Sequence, residues 1–142
     1  MATNEEIIRN LTEEESLELM AGQTFGRLVV QLKNDVDIFP VNFAVHDGKI
    51  YFRTAEGTKL FGAARADDLI LEADHVDQDA SVAWSVVVRG PSRILTKADE
   101  ILEAEEYGVK PWIPTLKYNF VEITPRTISG REFQLGEEPE RY

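Results

Sequence analysis

The first regular pattern in the chain is helical. Thr12, with Glu15 three residues on, has the spacing of a capping box, and Glu13, Glu14 and Glu15 fall at the positive end of the helix dipole. Leu17, Met20 and Ala21 follow at i, i+3 and i+4 as one apolar stripe, and Gly22 is a natural stop. Such a helix belongs on the surface or across one end of the body that follows, with its acid run as a solvated face.

From Phe25 the period becomes that of strands. Residues 25–32, 38–45 and 49–55 are short, rich in β-branched and aromatic side chains, and separated by turn residues. Asp47-Gly48 suits a two-residue hairpin, since both positions accept positive φ. Pro40 cannot donate to a ladder, which makes its strand an edge, a bulge or frayed at that point. A threonine-capped helix of two turns is expected from Thr58 to Arg65.

Residues 69–76 and 82–95 read as further strands, the second bent at Gly90-Pro91. Residues 96–107 carry a Thr96-x-x-Asp99 box and predict a second helix, which Gly108 ends. Pro111-Trp112-Ile113-Pro114 is a stiff connection. Residues 118–124 form another strand, residues 128–133 a last short one, and the acidic tail 134–142 is expected to be loose. The chain is thus mainly β with peripheral helices. Six or seven strands predict an antiparallel barrel, whose closure removes exposed edges; a two-sheet sandwich is the alternative. One domain spans residues 1–133.

Composition narrows the chemistry. The 142 residues are 43% hydrophobic and 29% charged, as in an ordinary globular domain, and no apolar run is long enough for a signal core or a bilayer span. There is no cysteine, which excludes disulfides, thiolate metal sites and cysteine nucleophiles and fits a reducing cytoplasm. With 26 acidic against 15 basic residues, phosphate-backbone binding is disfavoured and nucleic acid is a poor partner. His46 and His75, the two histidines, share no ligand spacing, and His46 reads as a turn residue. Asp77-x-Asp79-x-Ser81 opens like a calcium loop but has Val82 for the glycine and Val88 for the closing glutamate, so it reads as a polar turn.

Against a net charge of −11, one stretch runs the other way. Lys49, Arg53, Lys59 and Arg65 gather around Thr54, Gly57 and Thr58 with Glu56 as the single acid. Hydroxyls, a glycine and cations together suit a phosphate, an arginine fork and a lysine point charge being complementary ways to hold it. Gly57-Thr58-Lys59 lacks the earlier glycine of a nucleotide phosphate loop and follows a hairpin.

Three stretches carry a family resemblance: Phe39-Pro40-Val41-Asn42-Phe43, Asp47-Gly48-Lys49-Ile50-Tyr51-Phe52-Arg53-Thr54-Ala55-Glu56-Gly57-Thr58-Lys59, and Trp84-Ser85-Val86-Val87-Val88-Arg89-Gly90. In order and spacing they resemble the pyridoxamine 5′-phosphate oxidase-related flavin-binding split barrels, from about Leu11 to Phe133. The resemblance implies a split-barrel homodimer with one FMN at each of two subunit interfaces. It implies that Arg53, Thr54, Thr58 and Lys59 hold the phosphate, that Pro40, Val41 and Asn42 line the isoalloxazine edge, and that Trp84 and Ser85 lie beside the cofactor. Trp112 resembles the aromatic that a partner subunit lays near the flavin.

Pro40-Val41-Asn42 alone would be an edge device, Trp84 serves equally as a core residue, Trp112 could pack on its own barrel, and Arg126 and Arg131 read as solvated charges. The implied activity is a flavin-dependent oxidoreductase acting on a small cytosolic substrate. A deazaflavin cofactor, or a module that stores or senses flavin without catalysis, fits the same residues. A second basic set for a substrate phosphate is not evident, which argues against pyridoxamine 5′-phosphate oxidation itself.

Overall fold

The computed structural model describes residues 7–32, 34–54, 68–109 and 119–138. The elements are β1 (Ile8–Leu11), α1 (Glu13–Ala21), β2 (Phe25–Leu32), β3 (Asp35–His46), β4 (Lys49–Thr54), β5 (Asp68–Asp77), β6 (Val82–Ile94), α2 (Ala98–Glu105), β7 (Asn119–Ile123) and β8 (Thr127–Gln134). The strands run in the order β1-β8-β6-β5-β2-β3-β4-β7, and a further β6–β7 pairing closes six of them into an antiparallel barrel. β8 and β1 lie outside the ring as extra strands.

Two strands belong to both halves of the barrel. β3 pairs β2 through Asp35 to Asn42 and β4 through Phe43 to His46. β6 pairs β8 from Val82 to Arg89 and then β7 from Ser92 to Ile94. The change of partner on β6 falls at Gly90-Pro91, the bend expected from sequence. A Cβ on Gly90 would lie 1.9 Å from the Thr124 carbonyl oxygen, so only glycine permits this approach. Asp47 (φ 50°) and Gly48 (φ 76°) turn the β3–β4 hairpin through positive φ, as their residue types predict.

Alternation along the strands fills the interior. Leu28, Phe43, Phe52, Leu71, Val86 and Val121 are among the buried side chains of the main core. Fully buried Met20 of α1 joins them. α1 starts as predicted: the Glu15 amide donates to Thr12 Oγ1 at 3.1 Å and the Thr12 amide to Glu15 Oε1 at 3.0 Å. Its apolar face differs from the expected stripe, since Leu17 and Leu19 flank Met20 while Ala21 is exposed. Buried Ser16 explains the rotation: a Cβ on Gly130 of β8 would lie 2.3 Å from Ser16 Oγ, so helix and strand meet there.

Three other expectations change. β1, which pairs Leu11 with Gly130, was not anticipated from its four residues. α2 begins at Ala98 with Lys97 at the cap position and no side-chain cap bond, so the Thr96-x-x-Asp99 box is not made. Leu95 is the reason: it is buried, and its amide donates to the Phe120 carbonyl at 2.9 Å, holding the preceding chain in extended form. Gly108 (φ 86°) does follow the helix end. The tail is partly tied, since Gln134 completes β8 and the Leu135 amide donates to the Ser81 carbonyl at 2.9 Å. The two-turn helix expected from Thr58 to Arg65, the Pro111–Pro114 connection and residues 139–142 lie outside the described residues. Among the described residues, no helix is long and apolar enough to cross a membrane.

Candidate functional site

The last β3–β4 pair before the strands part is Phe43 with Phe52. Asn42 and Arg53 are therefore the next positions beyond that ladder, Asn42 paired with Phe25 of β2 and Arg53 with Phe120 of β7. Since Val41, Phe43, Ile50 and Phe52 lie in the core, alternation puts Pro40, Asn42, Tyr51 and Arg53 on the outer face.

Pro40 sits at an open edge. The Phe43 amide donates to the Thr24 carbonyl at 3.1 Å, so the alternating ladder turns the backbone polar groups of Val41 and Phe39 towards β2 and those of Pro40 away from it. On that far side no described strand pairs with residues 35–42. Pro40 thus costs the ladder no donor, which accounts for a proline in the middle of a long strand.

Arg53 is half-buried and held on two sides. Its Nη1 donates to the Val109 carbonyl at 3.2 Å, and its guanidinium carbon lies 4.8 Å from the centre of the Phe120 ring, within cation–π range. Thr54 ends β4 beside it, opposite Asn119 of β7. Asn42 Nδ2 donates to the Thr24 carbonyl at 3.2 Å. A guanidinium and a carboxamide thus lie just past the end of the β3–β4 ladder, with the Thr54 hydroxyl one residue further along β4, from which the sequence continues to Gly57-Thr58-Lys59. That donor set fits a phosphate monoester.

By register, Asn42 and Arg53 are the positions just past the last β3–β4 pair, Pro40 lies two residues further along β3, and Thr54 follows Arg53 at the end of β4. Val41 and Trp84 point elsewhere, both side chains belonging to the main core. Ser85 is half-buried on β6, three strands from β3 in the order of the sheet. Thr58, Lys59 and Trp112 lie outside the described residues. Lys49 leaves the proposed cation cluster. It is at the hairpin end of β4, four residues or about 13 Å from Arg53, with its Nζ 3.8 Å from Glu122. Arg126 pairs with Asp68 and is exposed, as is Arg131.

A network that the sequence did not announce lies one step along the same face. Glu122 of β7 is opposite Tyr51 and is the one buried charged side chain among the described residues. Its carboxylate accepts from the Tyr51 hydroxyl at 2.9 Å and from Arg93 Nε at 3.0 Å. Arg93 also reaches Glu100 of α2, through Nη2 at 2.8 Å and Nη1 at 3.2 Å. Burial, and then the bond to Glu122, push the Tyr51 hydroxyl well above its ordinary 10. The hydrogen bonds to Glu100 and Glu122 raise Arg93 further still. Tyr107 packs on this layer, stacked on His46 at 3.9 Å and tilted against Tyr51 at 4.7 Å. The available signal was alternation: Tyr51-x-Arg53 and Phe120-x-Glu122 put polar groups on one face of adjacent strands.

A second charged group lies on the outer face of β2 and β5. Arg27 Nε donates to Glu72 Oε1 at 2.9 Å, and its Nη2 donates to Asp74. Burial, with a hydrogen bond to Asp74, pushes the Glu72 carboxyl up to about 7; hydrogen bonding to Glu72 and Arg27 holds Asp74 low despite its own burial.

Comparison with known proteins agrees with this architecture. A family model for pyridoxamine 5′-phosphate oxidase matches residues 12–132. A solved Corynebacterium glutamicum protein, named as a candidate pyridoxamine 5′-phosphate oxidase, is 50% identical with a TM-score of 0.86, covering 97% of this chain and 99% of its own. A solved FAD binding protein from Mycobacterium smegmatis is 37% identical with a TM-score of 0.73, covering 87% and 98%. An uncharacterized protein of Mycobacterium tuberculosis is 41% identical over 92 residues, which is 65% of this chain and 82% of the relative. Its barrel, and a family match that runs from the capping threonine of α1 to within two residues of the end of β8, assign the chain plainly: it belongs to the pyridoxamine 5′-phosphate oxidase family.

Proposed function

We propose that this protein binds a flavin nucleotide through its 5′-phosphate at the open end of the β3–β4 hairpin, and that it works as a flavin-dependent oxidoreductase on a small cytosolic substrate. The observation that carries the reading is the placement of Arg53 and Thr54 at the end of β4, just past its last pair with β3, where Asn42 and Pro40 continue β3. In support stand the family and the Mycobacterium smegmatis relative, which is named for FAD binding. FMN is the first form proposed, because a terminal phosphate takes most from an arginine fork with hydroxyls and the lysine that follows in sequence. FAD is the second, on the strength of that relative.

In this reading, a bound flavin supplies two-electron redox chemistry. The protein's part is to bind and orient. Arg53 gives a fixed cation, held by Val109 and Phe120. Thr54 adds a hydroxyl, and Asn42 a carboxamide for the polar edge of the ring system. The edge at Pro40 offers backbone carbonyls with which no strand among the described residues competes. Phe43 and Phe52, the last pair of the hairpin ladder, are buried in the main core beneath it.

The assembly proposed with it is a homodimer with the site at the subunit interface. Val36 and Ile38 on β3 and Val76 on β5 are exposed apolar side chains on the barrel's outer surface, where a second copy would cover them. The test is the visible absorption spectrum of the purified protein with mass spectrometry of the released ligand. A yellow protein releasing FMN or FAD supports the reading. A colourless protein that takes up neither contradicts it, and a released deazaflavin would replace the cofactor.

A further inference from the structure

We infer that Glu122, Arg93 and Glu100 form a clasp that positions Arg53 for the flavin phosphate, making all three positioning residues for an anchor they do not touch. The inference rests on the phosphate reading above and adds the device that keeps the anchor in place.

The clasp follows from the order of contacts on one sheet face. Tyr51 pairs with Glu122, and the next pair on that face of the same two strands is Arg53 with Phe120. A buried carboxylate is tolerated only when paired and hydrogen-bonded, and Glu122 is both, with Tyr51 at 2.9 Å and Arg93 at 3.0 Å. Its partner Arg93 is half-exposed and spends its other nitrogens on Glu100, in the first turn of α2. The helix is thereby tied to β7 at its start. Nine residues after Ala98, Tyr107 and then Val109 return to the sheet, Tyr107 on His46 and Tyr51, Val109 buried with its carbonyl on Arg53. α2 and its extension are therefore fixed at both ends, and the far end is the acceptor that holds Arg53.

An arginine side chain free to explore its rotamers must be ordered when a ligand arrives, and that cost is subtracted from affinity. Holding Arg53 beforehand against Val109 and Phe120 removes part of it. The Arg93–Glu100 pair is on the surface, where an ion pair contributes little to stability. A role in positioning and a role in stability thus separate at Glu100.

The experiment compares FMN with riboflavin, which lacks the phosphate, by fluorescence titration of the full-length apoprotein. Wild type should prefer FMN. Glu100→Ala should weaken FMN binding about three- to tenfold, the range of indirect couplings, with riboflavin affinity and thermal midpoint close to wild type. Glu100→Gln, which keeps an oxygen for Arg93, should recover most of the loss. If Glu100→Ala also lowers the thermal midpoint, Glu100→Gln decides: FMN preference restored in proportion to the Arg93 contact supports the clasp, and an unrestored preference in a stable variant overturns it. An unchanged FMN-to-riboflavin ratio in Glu100→Ala, or an equal loss for both ligands, also overturns it. A wild type without FMN preference defeats the phosphate reading itself, and the clasp with it, and that failure is visible before any variant is made.

Discussion

The Tyr51 hydroxyl donates to the Glu122 carboxylate at 2.9 Å across adjacent strands, beneath a helix and two residues from Arg53. Removing the acceptor leaves a buried phenol and the inner side of Arg93 without their partner. Glu122→Ala is expected to destabilise the protein by about 1–3 kcal/mol, the cost of leaving the buried Tyr51 hydroxyl without its acceptor while half-exposed Arg93 keeps Glu100 and water, and Tyr51→Phe by about 1 kcal/mol. Urea unfolding of both variants checks this. Equal and small effects would mean that the carboxylate is hydrated rather than committed to the network.

Gly90 sets the corner at which β6 changes sheets. Gly90→Ala forces a Cβ against the Thr124 carbonyl at 1.9 Å and the Arg126 amide at 3.0 Å, both backbone, so neither neighbour can move without shifting the β7–β8 connection. A loss of at least about 1–3 kcal/mol, the usual cost of overpacking, is expected in thermal unfolding. Gly136→Ala is the control, because nothing lies within 4 Å of its added methyl, and it should be close to neutral. A Gly90→Ala protein as stable as this control would contradict the corner.

Glu72 gives a pH dependence with a definite sign. Its carboxyl is raised from 4.5 to about 7 in the folded protein, first by burial and then by Asp74. The folded state therefore keeps a proton that the unfolded chain has already released. This contribution to stability is full below about 4.5 and is lost as the pH rises through about 7. Glu72→Gln, which resembles the protonated acid, should flatten the fall in urea midpoint across that window. A slope equal to wild type would assign the titration to other groups.

How much of this was legible depended on how local the cause was. Asp47-Gly48 needs only its own φ preferences, and Thr12 with Glu15 only one turn of helix, so both were readable. Pro40 was readable as an edge because a missing donor has few homes. β1 was not, since four residues become a strand only through β8, more than a hundred residues away. The missing cap of α2 has the same cause, a preceding residue, Leu95, committed to a distant strand. Lys49 and Arg53 share a face of β4, so charge and alternation grouped them, and only the position of Glu122 separates them. Trp84 had two readings because alternation does not say which side of a closed barrel is the inside; the core cluster supplies that.

If Arg53 anchors a flavin phosphate, the ratio of FMN to riboflavin affinity should differ sharply between wild type and Arg53→Ala. Wild type should show a clear preference for FMN that falls by at least about tenfold in the variant, since truncating a charged partner of a phosphate costs about 1.5–3 kcal/mol. Riboflavin affinity should change little. Equal binding of the two flavins by wild type, or a preference that survives the loss of Arg53, would contradict that anchoring.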